Sequence, residues 1–220
     1  MHKLDKRLAC VASLVRSGRR LADIGTDHAH LPVYLVESGV CPSAIASDIG
    51  AGPLETARQT VCAAGLQERI DLRLGDGLST LAPGEAEDIV IAGMGGETIV
   101  EILEKAEFVR NAQVQLVLQP MSHAEDLRRW LLTHGFEVTC ERLVMDGRHM
   151  YPVLAATYAA APPSADELPY YAGFFEPTEG RPYRRMMAAH LRRRAAGVTR
   201  RGEADAVRRW LDLADALDKM

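Results

Sequence analysis

Apolar positions in the first 160 residues follow two alternating rhythms. Leu4, Leu8, Val11 and Val15 recur at helical spacing, which predicts an amphipathic helix over 3–17 ended by Gly18. Short apolar runs follow at 20–25, 43–48, 70–74, 88–92 and 114–118, each bounded by turn residues, and these predict buried parallel strands. Between them, 31–38, 53–64, 97–106 and 123–134 predict helices. This alternation folds into a doubly wound, mostly parallel α/β sheet. Two extended runs, 136–145 and 150–158, are joined by Asp146-Gly147-Arg148-His149 and predict a β-hairpin, which adds an antiparallel pair and completes seven strands.

The pattern changes after residue 160. Ala161-Pro162-Pro163-Ser164 reads as a linker between a first domain, 1–160, and a second, 161–220. Five prolines between 162 and 182 predict irregular chain there. Met187, Leu191, Ala195 and Val198 then form one helical stripe, and Val207, Trp210, Leu211, Ala214 and Leu217 another. With a break over 197–202, they predict a C-terminal helical hairpin whose apolar seams face each other.

Composition excludes several classes. At 220 residues, 47% hydrophobic and 25% charged, the chain has a globular balance. No apolar run approaches the ~18–20 residues of a membrane span, and Met1-His2-Lys3-Leu4-Asp5 carries an acid where a leader peptide needs an apolar stretch, so a soluble cytoplasmic protein is expected. Cys10, Cys41, Cys62 and Cys140 form no CxxC pair and read as buried thiols. Charge is uneven: residues 1–160 hold 15 Lys+Arg and 21 Asp+Glu, and 161–220 hold 11 and 9. Between 181 and 201 lie eight arginines (181, 184, 185, 192, 193, 194, 200, 201) and no acid. Such a run either solvates a helix face or grips phosphates, and it has no acid of its own for i,i+4 pairing.

Candidate chemistry gathers at the predicted strand ends, where open α/β sheets bind ligands. The first strand runs into Asp23-Ile24-Gly25-Thr26-Asp27-His28. A dinucleotide loop would place glycine where Asp27 stands, and a carboxylate there repels a pyrophosphate. S-adenosylmethionine carries an ammonium, a sulfonium and no phosphate, so acids attract it. Asp48 ends the second strand at the distance from Gly25 where an acid meets ribose hydroxyls, and Gly75-Asp76-Gly77 closes the third, where a carboxylate could read an adenine amino group. The fourth ends in Ala92-Gly93-Met94-Gly95-Gly96, glycines that serve either close helix packing or an incoming flat base. Gln119-Pro120-Met121 ends the fifth and offers an amide to the same rim. Tyr151, at the hairpin end of that edge, is the candidate aromatic for stacking on a base. His28 and His30 form an H-x-H without a third ligand at suitable spacing, and two residues apart they should diverge, so no metal is expected.

Residues 21–32 (Leu-Ala-Asp-Ile-Gly-Thr-Asp-His-Ala-His-Leu-Pro), 75–78 (Gly-Asp-Gly-Leu), 88–96 (Asp-Ile-Val-Ile-Ala-Gly-Met-Gly-Gly) and 118–121 (Leu-Gln-Pro-Met) together resemble the bacterial tRNA (adenine-22)-N1-methyltransferase family. The resemblance spans about residues 3–160, with Thr26, His30 and Asp48 where serine, tyrosine and glutamate are usual. It implies a class I, Rossmann-like methyltransferase with S-adenosylmethionine as donor, tRNA as acceptor and a C-terminal helical hairpin. On that reading Asp23, Gly25, Thr26, Asp27, His28, Asp48, Asp76, Gly77, Ala92, Gly93 and Met94 hold the donor, and Asp27 and the Gly93 carbonyl serve the target adenine. Gln119, Tyr151 and Arg181, Arg184, Arg185, Arg192, Arg193 and Arg194 meet the RNA. The alternatives are a methyltransferase for another substrate and a non-catalytic protein that binds RNA or senses the donor.

Overall fold

The structure is a computed structural model and describes residues 3–164, 166–198 and 204–220. In chain order the elements are α1 (Lys6–Leu14), β1 (Leu21–Ile24), α2 (His30–Glu37), β2 (Ala44–Asp48), α3 (Ala51–Ala63), β3 (Ile70–Leu74), β4 (Asp88–Gly95), α4 (Gly96–Glu104), β5 (Gln115–Ser122), α5 (Ala124–Thr133), β6 (Phe136–Asp146), β7 (His149–Tyr158), α6 (Leu168–Ala172), α7 (Pro177–Ala196) and α8 (Ala204–Asp218). The strands form one seven-stranded sheet in the order β3-β2-β1-β4-β5-β7-β6. The first five are parallel, and β7 runs antiparallel to both β5 and β6. Chain order reverses direction between β1 and β4, so their carboxyl ends flank the crevice where such sheets take ligands.

The central parallel strands are covered on both faces, whereas β3, at the sheet edge, buries only Ile70 and is not the fully buried strand its apolar run predicts. β1 is buried throughout, and the sheet separates two apolar layers, one around Ile24, Ile89, Ile91, Leu116 and Leu118, the other around Leu21, Val33, Val36, Val90 and Val117. Asp5 caps α1, its carboxylate accepting the Leu8 N–H at 2.7 Å, so the helix starts later than its apolar spacing suggests. Buried Asp88 accepts from the Arg16 backbone and guanidinium, both at 2.7 Å, and so fastens the chain leaving α1 to the start of β4. The hairpin turn has two loop residues, with Gly147 at φ 59°.

Three expectations need correction. The proline-rich stretch is not all irregular: it holds α6 and the start of α7, with Pro177 at the first helical turn and Pro182 inside the helix. Only Cys41 is buried; Cys10 and Cys140 are half-buried and Cys62 is exposed. In the C-terminal hairpin Met187, Leu191, Ala195, Ala214 and Leu217 are buried as the stripes require, but Leu211 is exposed, and Trp210 only partly buried. The 197–202 break falls largely outside the described residues.

The hairpin is anchored to the sheet by an ionic hub. Arg128 on α5 and Glu141 on β6 are both fully buried, with Nη2 donating to Oε1 at 2.6 Å. Arg128 Nη1 also donates to the Tyr170 carbonyl at 2.9 Å and the Tyr183 hydroxyl at 3.0 Å, while Glu141 Oε2 accepts the Phe174 N–H at 2.6 Å. The guanidinium lies over the Phe175 and Tyr183 rings, 5.6 and 5.0 Å from their centroids. Four elements thus meet at one charge pair.

Candidate active site

The Gly25–Ala29 loop is shaped by backbone more than by side chains. Gly25, Asp27 and Ala29 all have positive φ (74°, 52° and 57°), a pattern that bends the chain sharply between β1 and α2. The Gly25 and Thr26 N–H groups donate to the Ser47 carbonyl at 2.8 and 2.9 Å, and the Asp27 N–H donates to Asp48 Oδ2 at 3.1 Å. The amides of Gly25, Thr26 and Asp27 are thus engaged within the protein, which leaves this turn few donors for a phosphate, in keeping with the acid at Asp27. A Cβ on Gly25 would lie 2.2 Å from the Met94 methyl, so β1 and β4 touch across the crevice through that one mobile side chain.

Asp23 is the electrostatic centre. Burial pushes its carboxyl up to about 6, the Thr26 hydroxyl bonded to Oδ2 at 2.7 Å pulls it back, and the nearby charge of Asp48 raises it. A cationic ligand would offset both the burial and the repulsion. Asp48 accepts from Asp27 and Gly50 (2.8 Å), so it braces both loops while keeping lone pairs for hydroxyl donors. Asp76 caps nothing with its side chain; its exposed carboxylate stands 3.5 Å from Lys105 Nζ. Gly77 has φ 52° and lies against Ile102.

Two residues escaped the sequence reading. Ile49 is 72% exposed and Leu74 60%, and they follow or pair with Asp48 at neighbouring strand ends. Bare apolar side chains beside a carboxylate suit the face of an adenine whose ribose the acid holds. The signal available was an apolar residue at each strand end, Ile49 just after Asp48 and Leu74 just before the Gly75-Asp76 turn.

On the acceptor side the glycines divide by role. Pro120 has no N–H to give the ladder, and the β4–β5 register shifts between Ala92 and Met94, leaving Gly93 (φ 82°) opposite no residue of β5. Its N–H is satisfied by Gln119 Oε1 at 3.1 Å. Gly96 serves packing, since a Cβ there would lie 2.2 Å from the His123 carbonyl oxygen. Gln119 was expected to offer its amide to substrate, but it is fully buried: Oε1 also accepts from Arg7 (2.7 Å), and Nε2 donates to the Pro120 carbonyl (2.9 Å). It shapes the wall and does not line the rim. Tyr151 is half-buried at the mouth, stacked with His149 at 6.0 Å.

The arginines of α7 separate by face. Arg184 is buried, donating to the Pro177 and Phe175 carbonyls at 3.0 and 3.1 Å, and is unavailable to RNA. Arg192 is held by Asp215 and Asp218 of α8 at 2.7 and 2.6 Å, acids that the arginine-rich run itself lacks. Arg194 covers the Trp210 ring at 4.5 Å. Arg181 and Arg185 are exposed with no ion pair among the described residues, while Arg200 and Arg201 lie outside them. Arg193 and Arg194 join Arg129, Arg148 and Arg209 around a cleft of about 1080 Å³ between the hairpin and the ends of β5 and β7, where Asp126 and Glu167 pair with Arg129 and Arg209 at 2.9 and 3.3 Å. Sequence reading missed Arg129, Arg148 and Arg209 because they come from three separate elements.

His28 and His30 do not diverge; their rings meet edge to face at 5.5 Å, and His28 is 3.5 Å from Asp27. Among the described residues, the trio whose ligand atoms lie within 4.8 Å of one another is instead Glu97, His123 and Asp126, where Asp126 is already paired with Arg129 at 2.9 Å.

The strand order with its acid-edged, phosphate-averse crevice defines a class I methyltransferase. A family model described as a methyltransferase domain matches residues 4–154. Over 154 residues the chain is 41% identical to the tRNA (adenine(22)-N(1))-methyltransferase of Bacillus subtilis, a match spanning 70% of this chain and 65%, just under two thirds, of that enzyme. In structure it is similar to the B. subtilis m1A22 tRNA methyltransferase TrmK (TM-score 0.82, 27% identity, 99% and 100% of the two chains). It is likewise similar to Streptococcus pneumoniae Sp1610 in complex with S-adenosyl-L-methionine (TM-score 0.83, 32% identity, 98% and 100%). The chain belongs to the tRNA (adenine-22)-N1-methyltransferase family.

Proposed function

We propose that this protein transfers the methyl group of S-adenosylmethionine to N1 of an adenine in tRNA, with position 22 the expected target. The observation that carries the reading is the crevice itself: a buried Asp23, its carboxyl raised by burial, beside a turn whose Gly25, Thr26 and Asp27 amides are engaged within the protein, and across from it the glycine-rich end of β4. Asp23 and Asp48 would hold the donor's ammonium and ribose, and Ile49 and Leu74 its adenine. When bound, S-adenosylmethionine supplies an electrophilic methyl carbon.

Neutral adenine attacks through an in-plane lone pair on N1, so the chain need remove no proton and its work is positioning. Asp27 and the Gly93 carbonyl accept from the adenine N6 amino group and so stabilise the positive charge the base acquires. The target must leave its stack, at about a few kcal/mol. The arginine-rimmed cleft holds neighbouring phosphates during that step. Acting on tRNA, the protein would work in the cytoplasm, which cell fractionation checks. Incubation with labelled donor and unmodified tRNA, followed by mass-spectrometric mapping of the modified nucleoside, tests the whole reading. Labelled tRNA with N1-methyladenosine at one site supports it, and donor binding without transfer to any tRNA overturns it.

A further inference from the structure

Arg7 lies outside every motif read from the sequence, yet it reaches the acceptor wall. From α1 its Nη1 donates to Gln119 Oε1 at 2.7 Å, the same oxygen that accepts the Gly93 N–H, and Nη1 lies 3.4 Å from where a Cβ on Gly93 would stand. The guanidinium is therefore fixed beside the bulged residue at the base-facing end of β4. Its Nη1 is fixed by a neutral amide, which supplies no counter-charge. Among the described residues its one ionic neighbour is Asp5, itself 58% exposed and 3.8 Å away.

That placement is electrostatically awkward for methyl transfer alone. The reaction brings in a sulfonium and leaves its positive charge on the base, and a third cation at the wall opposes both unless an anion arrives with the substrate. A nucleotide brings such an anion, one sugar away from its base. With Nη1 bonded to the amide and Nη2 facing the exposed Asp5 only at 3.8 Å, the guanidinium keeps donors on Nη2 and Nε for two phosphate oxygens, a geometry that lysine cannot reproduce.

We propose that Arg7 binds a backbone phosphate flanking the target adenosine, and so couples acceptor positioning to Gly93 through Gln119. This rests on RNA being the acceptor. It makes Arg7 a substrate-binding residue, distinct from the arginines of the cleft.

The test begins with wild-type protein and unmodified tRNA, where absence of methylation would overturn the functional reading itself. Given activity, kcat/KM for tRNA is measured across a salt series for wild type, Arg7→Gln and Arg7→Lys, with donor affinity by calorimetry. Arg7→Gln should lower kcat/KM at least tenfold, flatten its log–log salt dependence by about 0.7–0.9, the contribution of one phosphate, and leave donor affinity within twofold. Arg7→Lys should keep the salt dependence while losing part of the rate. A wild-type slope in Arg7→Gln, or a donor affinity that falls as far as kcat/KM, overturns the proposal in favour of a simple prop for Gly93. A second arm needs no variant: wild-type enzyme is given tRNA carrying a neutral methylphosphonate on either side of the target nucleotide. A loss at one of the two positions supports the assignment, and undiminished turnover at both refutes it.

Discussion

Removing one charge from the Arg128–Glu141 hub should unfasten the C-terminal hairpin from the sheet. Glu141→Gln keeps the shape, but it replaces an acceptor-only carboxylate with an amide, leaving a fully buried guanidinium without its counter-charge. Arg128 cannot escape by losing its proton, because a guanidinium stays charged at any pH the fold survives, even with its carboxylate partner gone. Breaking such a pair costs about 3–5 kcal/mol, which for a chain of this length lowers Tm by about 6–20 °C. Replacing both residues with methionine removes the charge problem but orphans the Phe174 N–H, the Tyr170 carbonyl and the Tyr183 hydroxyl, at about 1–3 kcal/mol each. The double variant should therefore remain well below wild type. Urea titration followed by circular dichroism gives the stabilities, and donor calorimetry at 20 °C should be unchanged because the donor crevice lies between β1 and β4, away from the edge strand β6 that carries Glu141. A loss under about 1 kcal/mol for Glu141→Gln, or full recovery in the double variant, would refute the view that this hub anchors the hairpin.

Four further outcomes follow from the site. Asp23 has a carboxyl raised to about 6 in the folded state. Its contribution to stability is complete below about pH 4 and is lost as pH rises through 6, about 3 kcal/mol in all. Asp23→Asn should remove that pH dependence from urea titrations, stabilise the protein at pH 7.5 and abolish donor binding; an unchanged profile contradicts the assignment. Asp27→Asn keeps the turn and removes the charge, so turnover should fall more than donor affinity; equal losses by kinetics and calorimetry make Asp27 a donor ligand. Arg193→Gln with Arg194→Gln should weaken tRNA binding and flatten its salt dependence, whereas Arg192→Gln, which opens an interhelical ion pair, should chiefly lower Tm; filter binding at two salt concentrations separates them. Gly96→Ala drives a methyl into the His123 carbonyl and should cost at least about 1–3 kcal/mol; a wild-type Tm would show that the α4 approach is looser than the geometry indicates.

Local rules were enough for the architecture. Apolar runs of five or so residues between helical stretches specify a parallel sheet because the central strands must be covered on both faces, and β3 appears at the residues its pattern marks, although at the sheet edge it buries only Ile70. Acids at the ends of β1, β2 and β3 were legible for the same reason, since a strand end followed by a turn is a fixed place in this topology. Gly93 was legible only as a glycine; that it bulges depends on Pro120, a residue of another strand that cannot donate to it. The fate of Gln119, Arg184 and Arg192 was likewise decided by groups 7 to 112 residues away or on the facing helix. Charge along a sequence shows which side chains can bind phosphate, but not which are already paired, because pairing depends on elements that meet only after the sheet has formed and the hairpin has folded back on it. The cationic cleft and the reach of Arg7 to the acceptor wall are of that kind: no local pattern encodes them, and they exist because packing two apolar layers on one sheet brings α1, α5, β7 and the hairpin to the same edge.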